Sequence, residues 1–557
     1  MEQVVITCEN TGITKSYNVG TSLLEIAEEQ DIQLQSQILA VMVDNQLKNL
    51  TYKIYNPKTV KFIDISHPDG MRTYHRSLIF LLQKAIKDVL PNHKLRVKNS
   101  IANGLYCEIN NGKNTLTPTN VDDVRERMHD LVTQDLAYIR KKIPTAEAIK
   151  LFREQGYEEK ALLLQTRSRF YTSVYYLDGY PDHYYGPLVP STGYITKFGL
   201  IRYNSGVLLM FPKPDNICEL QDFVEQEKMF DIFKEHKEWG SILGVKGLGS
   251  LNSAIQRGYT GQLIKIAEAL QEKKYAMIAD LIYAKHEMIK IVLIAGPSSS
   301  GKTTTSKRLA IQLKVAKLNP VVLELDNYFV DRENTPRDEH GDYDFENLHA
   351  LDVDFFNQQL KALLNGEKIT VPKFDFLEGK RYFDNTRLRL GENDILVIEG
   401  IHALNPKLTS LVPDKYKFRI YASALTSVTI DENNRIPTTD NRLIRRIVRD
   451  SWSRGYSALD TIRRWQSVRR GENKNIFPYQ ENADVMFNSA LLFELSVLKN
   501  YAEPLLRKIP PIEPEYAEAT RLLKFLGYFE EISKQDEQSI PPTSVLREFI
   551  GGSSFEY

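Results

Sequence analysis

The sequence predicts an α/β protein of several domains, built around a parallel-sheet domain that holds phosphate in a P-loop. Three observations carry this. A chain of 557 residues is too long for one hydrophobic core. Gly296-Pro297-Ser298-Ser299-Ser300-Gly301-Lys302-Thr303 has the spacing G-x-x-x-x-G-K-[ST], between an apolar run at 291–295 and a helix-compatible run at 304–316. Two further strand-like runs, 321–325 and 394–398, exit into the acids Asp326 and Glu399.

Composition narrows the class. Lys and Arg number 72, as do Asp and Glu, so the formal net charge is zero and no polybasic tail marks a dense nucleic-acid patch. Cys8, Cys107 and Cys218 lie far apart, with neither C-x-x-C nor zinc spacing, as suits a reducing compartment. No signal peptide is apparent at the N-terminus, and no apolar stretch is long enough to span a bilayer. The expected protein is cytoplasmic, with no membrane partner; a homo-oligomeric state stays open.

Residues 1–64 read as a small β-β-α-β-β unit. Val4-Val5-Ile6-Thr7 pairs with Lys15-Ser16-Tyr17-Asn18-Val19, Thr21 N-caps a helix to Glu29, and strands follow at 41–43 and 60–64. The segment 17–27 resembles the TGS domain, a β-grasp module that mediates interaction. Residues 65–212 hold helical patterns at 77–89 and 121–139 and the turn-rich run Gly186-Pro187-Leu188-Val189-Pro190. With Asn103-Gly104-Leu105-Tyr106-Cys107-Glu108, this α+β region resembles the second additional domain of threonyl-tRNA synthetases, which follows a TGS domain in the same order. That family's domain edits mischarged tRNA with two His on a helix and a Cys and a His about the Gly-Pro step. Here Arg76, Phe80, Tyr184 and Leu188 stand at those four positions, so the resemblance implies a scaffold without editing chemistry. His75 and His183, each one residue off, are read as ordinary histidines, because a metal site needs several ligands at once. Residues 213–285 form a helical connector broken at Gly244-Val245-Lys246-Gly247-Leu248-Gly249, where the glycines suggest a flexible joint. Residues 286–500 form the P-loop domain, and 501–557 a helical C-terminal segment and tail.

The chemistry gathers in 286–500. Small residues Gly296, Ser298, Ser299, Ser300 and Gly301 let backbone N–H groups turn toward phosphate oxygens, and the following helix, opening at Thr304, adds its dipole. Lys302 reaches the β- and γ-phosphates, and the Thr303 hydroxyl can ligate Mg2+. Asp326 ends a strand at the ligand crevice of a P-loop sheet, where a carboxylate can take the proton of an attacking hydroxyl; a Mg2+-side or capping Asp is the rival reading. Glu399 ends a Walker-B-like strand, whose acid holds Mg2+. In Asp440–Gly455, Arg442, Arg445, Arg446 and Arg449 share a helical face suited to phosphate, or to solvated ion pairs with acids such as Asp450.

In this order the four motifs resemble the uridine kinase/phosphoribulokinase family of P-loop kinases. The resemblance implies transfer of the ATP γ-phosphate to a small-molecule hydroxyl, with Asp326, Lys302, Arg446 and Arg449 catalytic and Arg454 also on ATP. Phe374-Asp375-Phe376 looks like the family's Tyr-Asp-Phe motif, which places Phe374 and Asp375, with Tyr328 and Arg446, at the acceptor. Departures fall on that side. Glu346 stands for a ribose-binding Asp, with Asp344 as rival; Gly379 replaces a base-contacting His and Tyr456 an Arg. Trp465, Arg469 and Arg470 either complete an altered pocket or serve core and surface. The leading expectation is a nucleoside kinase making a 5′-monophosphate. The alternatives are a kinase of another sugar or small alcohol, and a tRNA- or ribosome-associated NTP-binding regulator whose N-terminal domains contact RNA.

Overall fold

The computed structural model describes residues 2–110, 116–339, 341–391 and 393–556. At the N-terminus five strands form one sheet in the order Thr14–Asn18, Gln3–Cys8, Lys58–Ile63, Ala40–Val43, Gln46–Lys48. Gln3–Cys8 and Lys58–Ile63 run parallel, joined through the helix Leu23–Glu29, and Val4, Ile6 and Cys8 alternate inward onto it. The helix cap is Ser22, one residue later than expected. Its hydroxyl and the Glu25 carboxylate close a capping box, while Thr21 donates to the carbonyl of Asn18. Gln46–Lys48 is a strand beyond the expected set; Asp44 and Asn45, at φ 46° and 56°, turn the chain back in a two-residue hairpin.

The second module is laid around the helix Pro68–Val89, most of whose side chains are buried. It carries an antiparallel sheet in the order Gly199–Tyr203, Gly206–Met210, Gly104–Asn110, Lys94–Ile101. A smaller sheet pairs Tyr180–Asp182, Tyr171–Leu177 and Tyr138–Pro144. The helix expected over 121–139 covers Pro118–Thr133 instead. Asp135 turns left-handed at φ 49°, and the chain resumes as the strand Tyr138–Pro144, whose exposed Arg140, Lys141 and Lys142 match a half-solvated strand as well as a helix.

The connector contains the helices Glu227–Ile242, Leu248–Gln256 and Thr260–Tyr283. Its glycine run is a packed joint, not a flexible one. A Cβ on Gly249 would stand 2.5 Å from the carbonyl oxygen of Glu159, so the missing side chain lets this helix lie directly on Glu158–Thr166.

The P-loop domain is a five-stranded sheet in the order Asn319–Glu324, Asp394–Glu399, Ile291–Ala295, Lys417–Ser423, Val485–Asn488, every pair parallel. Continuous burial of Ile291–Ala295 and of Ile395–Ile398 fits strands covered on both faces. Ile291–Ala295, the central strand, delivers the P-loop, and Asp326 and Glu399 leave the two strands beside it on one side, at the same edge of the sheet. The helix Glu494–Leu506 runs across the expected 500/501 boundary and joins one core with the connector, the Arg-rich helix Thr438–Ser453 and the C-terminal helices. Charges tie the C-terminal segment to both neighbours: Arg72 of the second module donates to Glu518 at 2.8 Å, and Arg521 donates to Asp440 of the P-loop domain at 2.7 Å. Among the described residues no helix is long and apolar enough to cross a membrane.

Candidate functional site

A cavity of about 470 Å³ opens at the strand ends. Ser298, Ser299, Gly301, Lys302, Thr303, Asp326, Glu346, Phe374, Glu399, Arg446, Arg449 and Arg454, all expected from sequence, line it. The P-loop needs two left-handed residues, Ser299 at φ 58° and Gly301 at φ 79°, to bend back on itself. The hydroxyl of Ser299 is buried without a hydrogen-bond partner, as suits a loop shaped around a ligand's oxygens.

The Arg-rich helix divides by depth. Arg442 and Arg445 are completely buried under the P-loop. Arg442 donates to the Ser298 carbonyl at 2.9 Å and to Glu472, which in turn accepts the Ser298 N–H. Arg445 donates to Glu494 at 2.6 Å and to the carbonyls of Ser299 and Ser489. These two brace the loop from behind. Arg446 bonds the Ser298 hydroxyl at 2.9 Å and, with Arg449 and Arg454, faces the cavity around a single carboxylate, Asp450. Crowding by Arg449, then burial, brings the Arg454 guanidinium down to about 10, the mark of cations gathered in excess of their anions.

On the opposite side Thr303 donates from its hydroxyl to Glu399 at 2.8 Å. Burial, partly countered by Lys302 and reinforced by Asp326 and Glu324, pushes the Glu399 carboxyl up to about 8. A hydroxyl and a buried carboxylate among further acids form a hard oxygen donor set suited to a divalent cation. Among the described residues no group of three or more His, Cys, Asp or Glu could hold a metal unaided. Such a cation would therefore be shared with phosphate oxygens, as Mg2+ commonly is.

The far wall is aromatic. Phe329, Phe374 and Phe376 stand with ring centroids 5.2–6.3 Å apart, and Arg454 lies 5.0 Å over Phe376. Glu346 is buried, which pushes its carboxyl up to about 7 against the pull of Arg446. Gly471 lets Glu346 approach, since a Cβ there would stand 2.4 Å from that of Glu346.

Six expected residues do not line the cavity. Tyr328 points into the core against Phe355 and Phe356 and donates to Gln359 at 2.7 Å, because the 3-10 turn Leu325–Tyr328 rotates it away from Asp326. Asp375 caps the turn after its strand, accepting from the amides of Leu377 and Glu378. Asp344 is buried and accepts from Asn347. Gly296 is pressed so closely on the Ala422 carbonyl that a Cβ would stand 1.9 Å from its oxygen, and Ser300 is buried behind the loop. Thr304 is bonded to Glu548 of the C-terminal segment. Sequence reasoning missed Glu548 and Arg332, which both line the cavity. The free space at Gly379 was the available signal for Arg332, whose guanidinium carbon lies 2.7 Å from where a Cβ would stand.

Residues 291–493 match the Phosphoribulokinase / Uridine kinase family. This kinase-family domain is one part of the chain; the N-terminal region matches threonine–tRNA ligases. One, from Xanthomonas campestris pv. campestris (strain B100), is 28% identical over 204 residues, covering 36% of this chain and 32% of the relative. Another, from Francisella tularensis subsp. tularensis (strain WY96-3418), is 24% identical over 191 residues, covering 34% and 30%. The chain thus spans about a third of the length of these relatives. Among solved structures, a possible uridine kinase from Bacillus stearothermophilus is 19% identical with a TM-score of 0.26, covering 39% of this chain and 98% of the other. D-glycerate 3-kinase from Cryptococcus neoformans var. grubii is 13% identical with a TM-score of 0.21, covering 47% and 90%.

In the second module the four positions matched by resemblance to editing ligands hold packed side chains. Phe80 and Tyr184 meet at 5.4 Å, Leu188 is buried, and Arg76 donates to the Pro187 carbonyl at 3.1 Å. His75 stacks on Phe211, and His183 sits between the Ser173 carbonyl and the Tyr528 hydroxyl. Burial holds both neutral, His75 down to about 3 and His183 to about 4.

Proposed function

We propose that the kinase domain transfers the γ-phosphate of ATP to the 5′-hydroxyl of a nucleoside. The observation that carries this is one cavity lined by the P-loop, by Asp326, by a cluster of uncompensated arginines and by an aromatic wall. The loop amides and Lys302 hold the phosphates, and Phe374 and Phe376 offer flat faces to a base. Glu346, with its carboxyl near neutrality, can accept from and donate to ribose hydroxyls. Asp326 lines the same cavity as Lys302, Thr303, Glu399 and Arg454, which supports a role at the phosphate end. The acceptor hydroxyl attacks the γ-phosphorus, its proton passes to the Asp326 carboxylate, and the bond to the β–γ bridging oxygen breaks to release ADP. Lys302, Arg446 and Arg449 stabilise the charge spread over the moving phosphoryl group. Thr303 and Glu399 would hold Mg2+, which supplies charge neutralisation at the phosphates when bound.

A second reading, a kinase of another sugar or small alcohol, is favoured by Arg332 filling the space beside Gly379, which makes that end of the cavity more polar than a base pocket requires. Phosphorylation of a panel of nucleosides, sugars and glycerate by the full chain with ATP and Mg2+ separates them. Turnover of at least one nucleoside above every sugar is expected; turnover of sugars alone would replace the first reading with the second.

A further inference from the structure

The C-terminal segment reaches the phosphate-binding loop. Glu548, which is 9% exposed, lines the cavity, and its carboxylate accepts from the Thr304 hydroxyl at 2.6 Å and from the Thr304 backbone N–H at 3.4 Å. Thr304 lies in the first turn of the helix Lys302–Val315, where backbone donors and the helix dipole attract anions. The segment is fixed from several sides. Val545 presses on the loop so closely that a Cβ on Gly301 would stand 2.5 Å from its Cγ2. Trp452, on the Arg-rich helix, donates from its indole N–H to the Phe549 carbonyl at 2.6 Å. The guanidinium of Arg445 lies 4.8 Å over the Phe549 ring, and Lys307 donates to the backbone carbonyl of Glu556.

We infer that residues 544–556 are an internal competitor for the phosphate-binding loop. The Glu548 carboxylate takes Thr304 donors that a nucleotide phosphate would use, and nucleotide binds only as Glu548 withdraws. The inference rests on the reading of the P-loop as a nucleotide site. One N–H cannot serve carboxylate and phosphate at full strength, and two anions side by side in a buried cleft repel. A loop that holds its own acid most of the time binds nucleotide with an affinity reduced by the fraction that is free. Val545, Leu546 and Phe549 are fully buried, so the exchange is local, at Glu548 and the turn that carries it, with the apolar anchors kept in place.

The test uses the full chain and Mg-ADP as probe. Glu548→Gln keeps the shape and removes the charge, and is expected to bind ADP about tenfold more tightly, as if the loop had been occupied nine-tenths of the time. Trp452→Phe, which removes one anchor of the segment at a residue outside the cavity lining, is expected to tighten binding by about two- to threefold. Hydrogen exchange on the unmodified protein gives a readout that needs no variant: amides around Glu548 exchange faster once ADP is bound. Equal or weaker ADP binding by Glu548→Gln, or slower exchange around Glu548 with ADP, overturns the inference, since either would make the segment a clamp on bound nucleotide. Failure of both the unmodified chain and the variant to bind ADP or ATP at millimolar concentration would instead remove the nucleotide reading of the P-loop, and the inference with it.

Discussion

Two clefts in this chain face opposite ways chemically. In the second module, Arg76, Phe80, Tyr184 and Leu188 stand packed where the synthetase resemblance would expect ligands, and Arg76 and Tyr184 are bonded to the chain's own carbonyls and hydroxyls. In the kinase domain the side chains stop short of each other. Three arginines share Asp450, the Ser299 hydroxyl has no partner, and a buried Glu399 is charged only at a cost. The difference is one of charge and hydrogen-bond balance, which neither motif nor family reports. A scaffold resolves its charges internally, whereas a site keeps imbalances that only a ligand can settle.

The largest effect should come from Asp326. Asp326→Asn removes the proton acceptor and little else, so turnover is expected to fall by about a thousandfold, on the order of 4 kcal/mol at the transition state. Binding of Mg-ADP should stay within about threefold of the unmodified chain, as a group acting chiefly in the transition state requires. Steady-state turnover with parallel calorimetry of ADP binding checks this. Turnover within tenfold of normal would return Asp326 to its rival reading as a capping or metal-side acid.

The next contrast lies within a single helix. Arg446→Met should lower turnover about a hundredfold with little change in melting temperature, because Asp450 keeps Arg449 as partner. Arg445→Met should do the reverse in its primary effect. It strands Glu494 in the core with only neutral donors, a cost of about 3 kcal/mol seen in thermal denaturation. If both variants lost turnover equally at unchanged stability, the division of the helix into brace and cavity faces would fail.

That division marks the limit of what the sequence shows. The P-loop, Asp326 and Glu399 are legible because strand, loop and acid are adjacent along the chain, and the parallel sheet brings every strand end to one edge. Arg442, Arg445, Arg446 and Arg449 are equivalent by helical period, and only the packing of the helix under the loop sends two inward. Tyr328 illustrates a local failure: two residues past Asp326 it would share a strand's face, but the chain has already entered a 3-10 turn. Glu548 is a long-range one. It meets Thr304 across 244 residues, and no spacing in the sequence points from one to the other. In the second module the replaced positions are legible one by one, but that they pack into each other is a property of the fold.

The smallest expected effect concerns the second module and pH. His75 is buried, its Nε2 has no hydrogen-bond partner, and its folded value of about 3 lies far below the 6.5 of an unfolded histidine. Burial is the main cause, with the cations Arg435, Arg76 and Arg72 adding to it. Below pH 6.5 the unfolded chain takes up a proton that the folded chain refuses, so the stability His75 confers is complete above that value and falls as pH drops. Between pH 6.5 and 5 this amounts to on the order of 2 kcal/mol at about 1.4 kcal/mol per pH unit. His75→Leu removes the titrating ring. Whatever it does to the melting temperature at pH 7, it should narrow the difference between melting at pH 7 and at pH 5. A melting difference as wide as that of the unmodified chain would mean that His75 takes up its proton in the folded state, and that water reaches its ring.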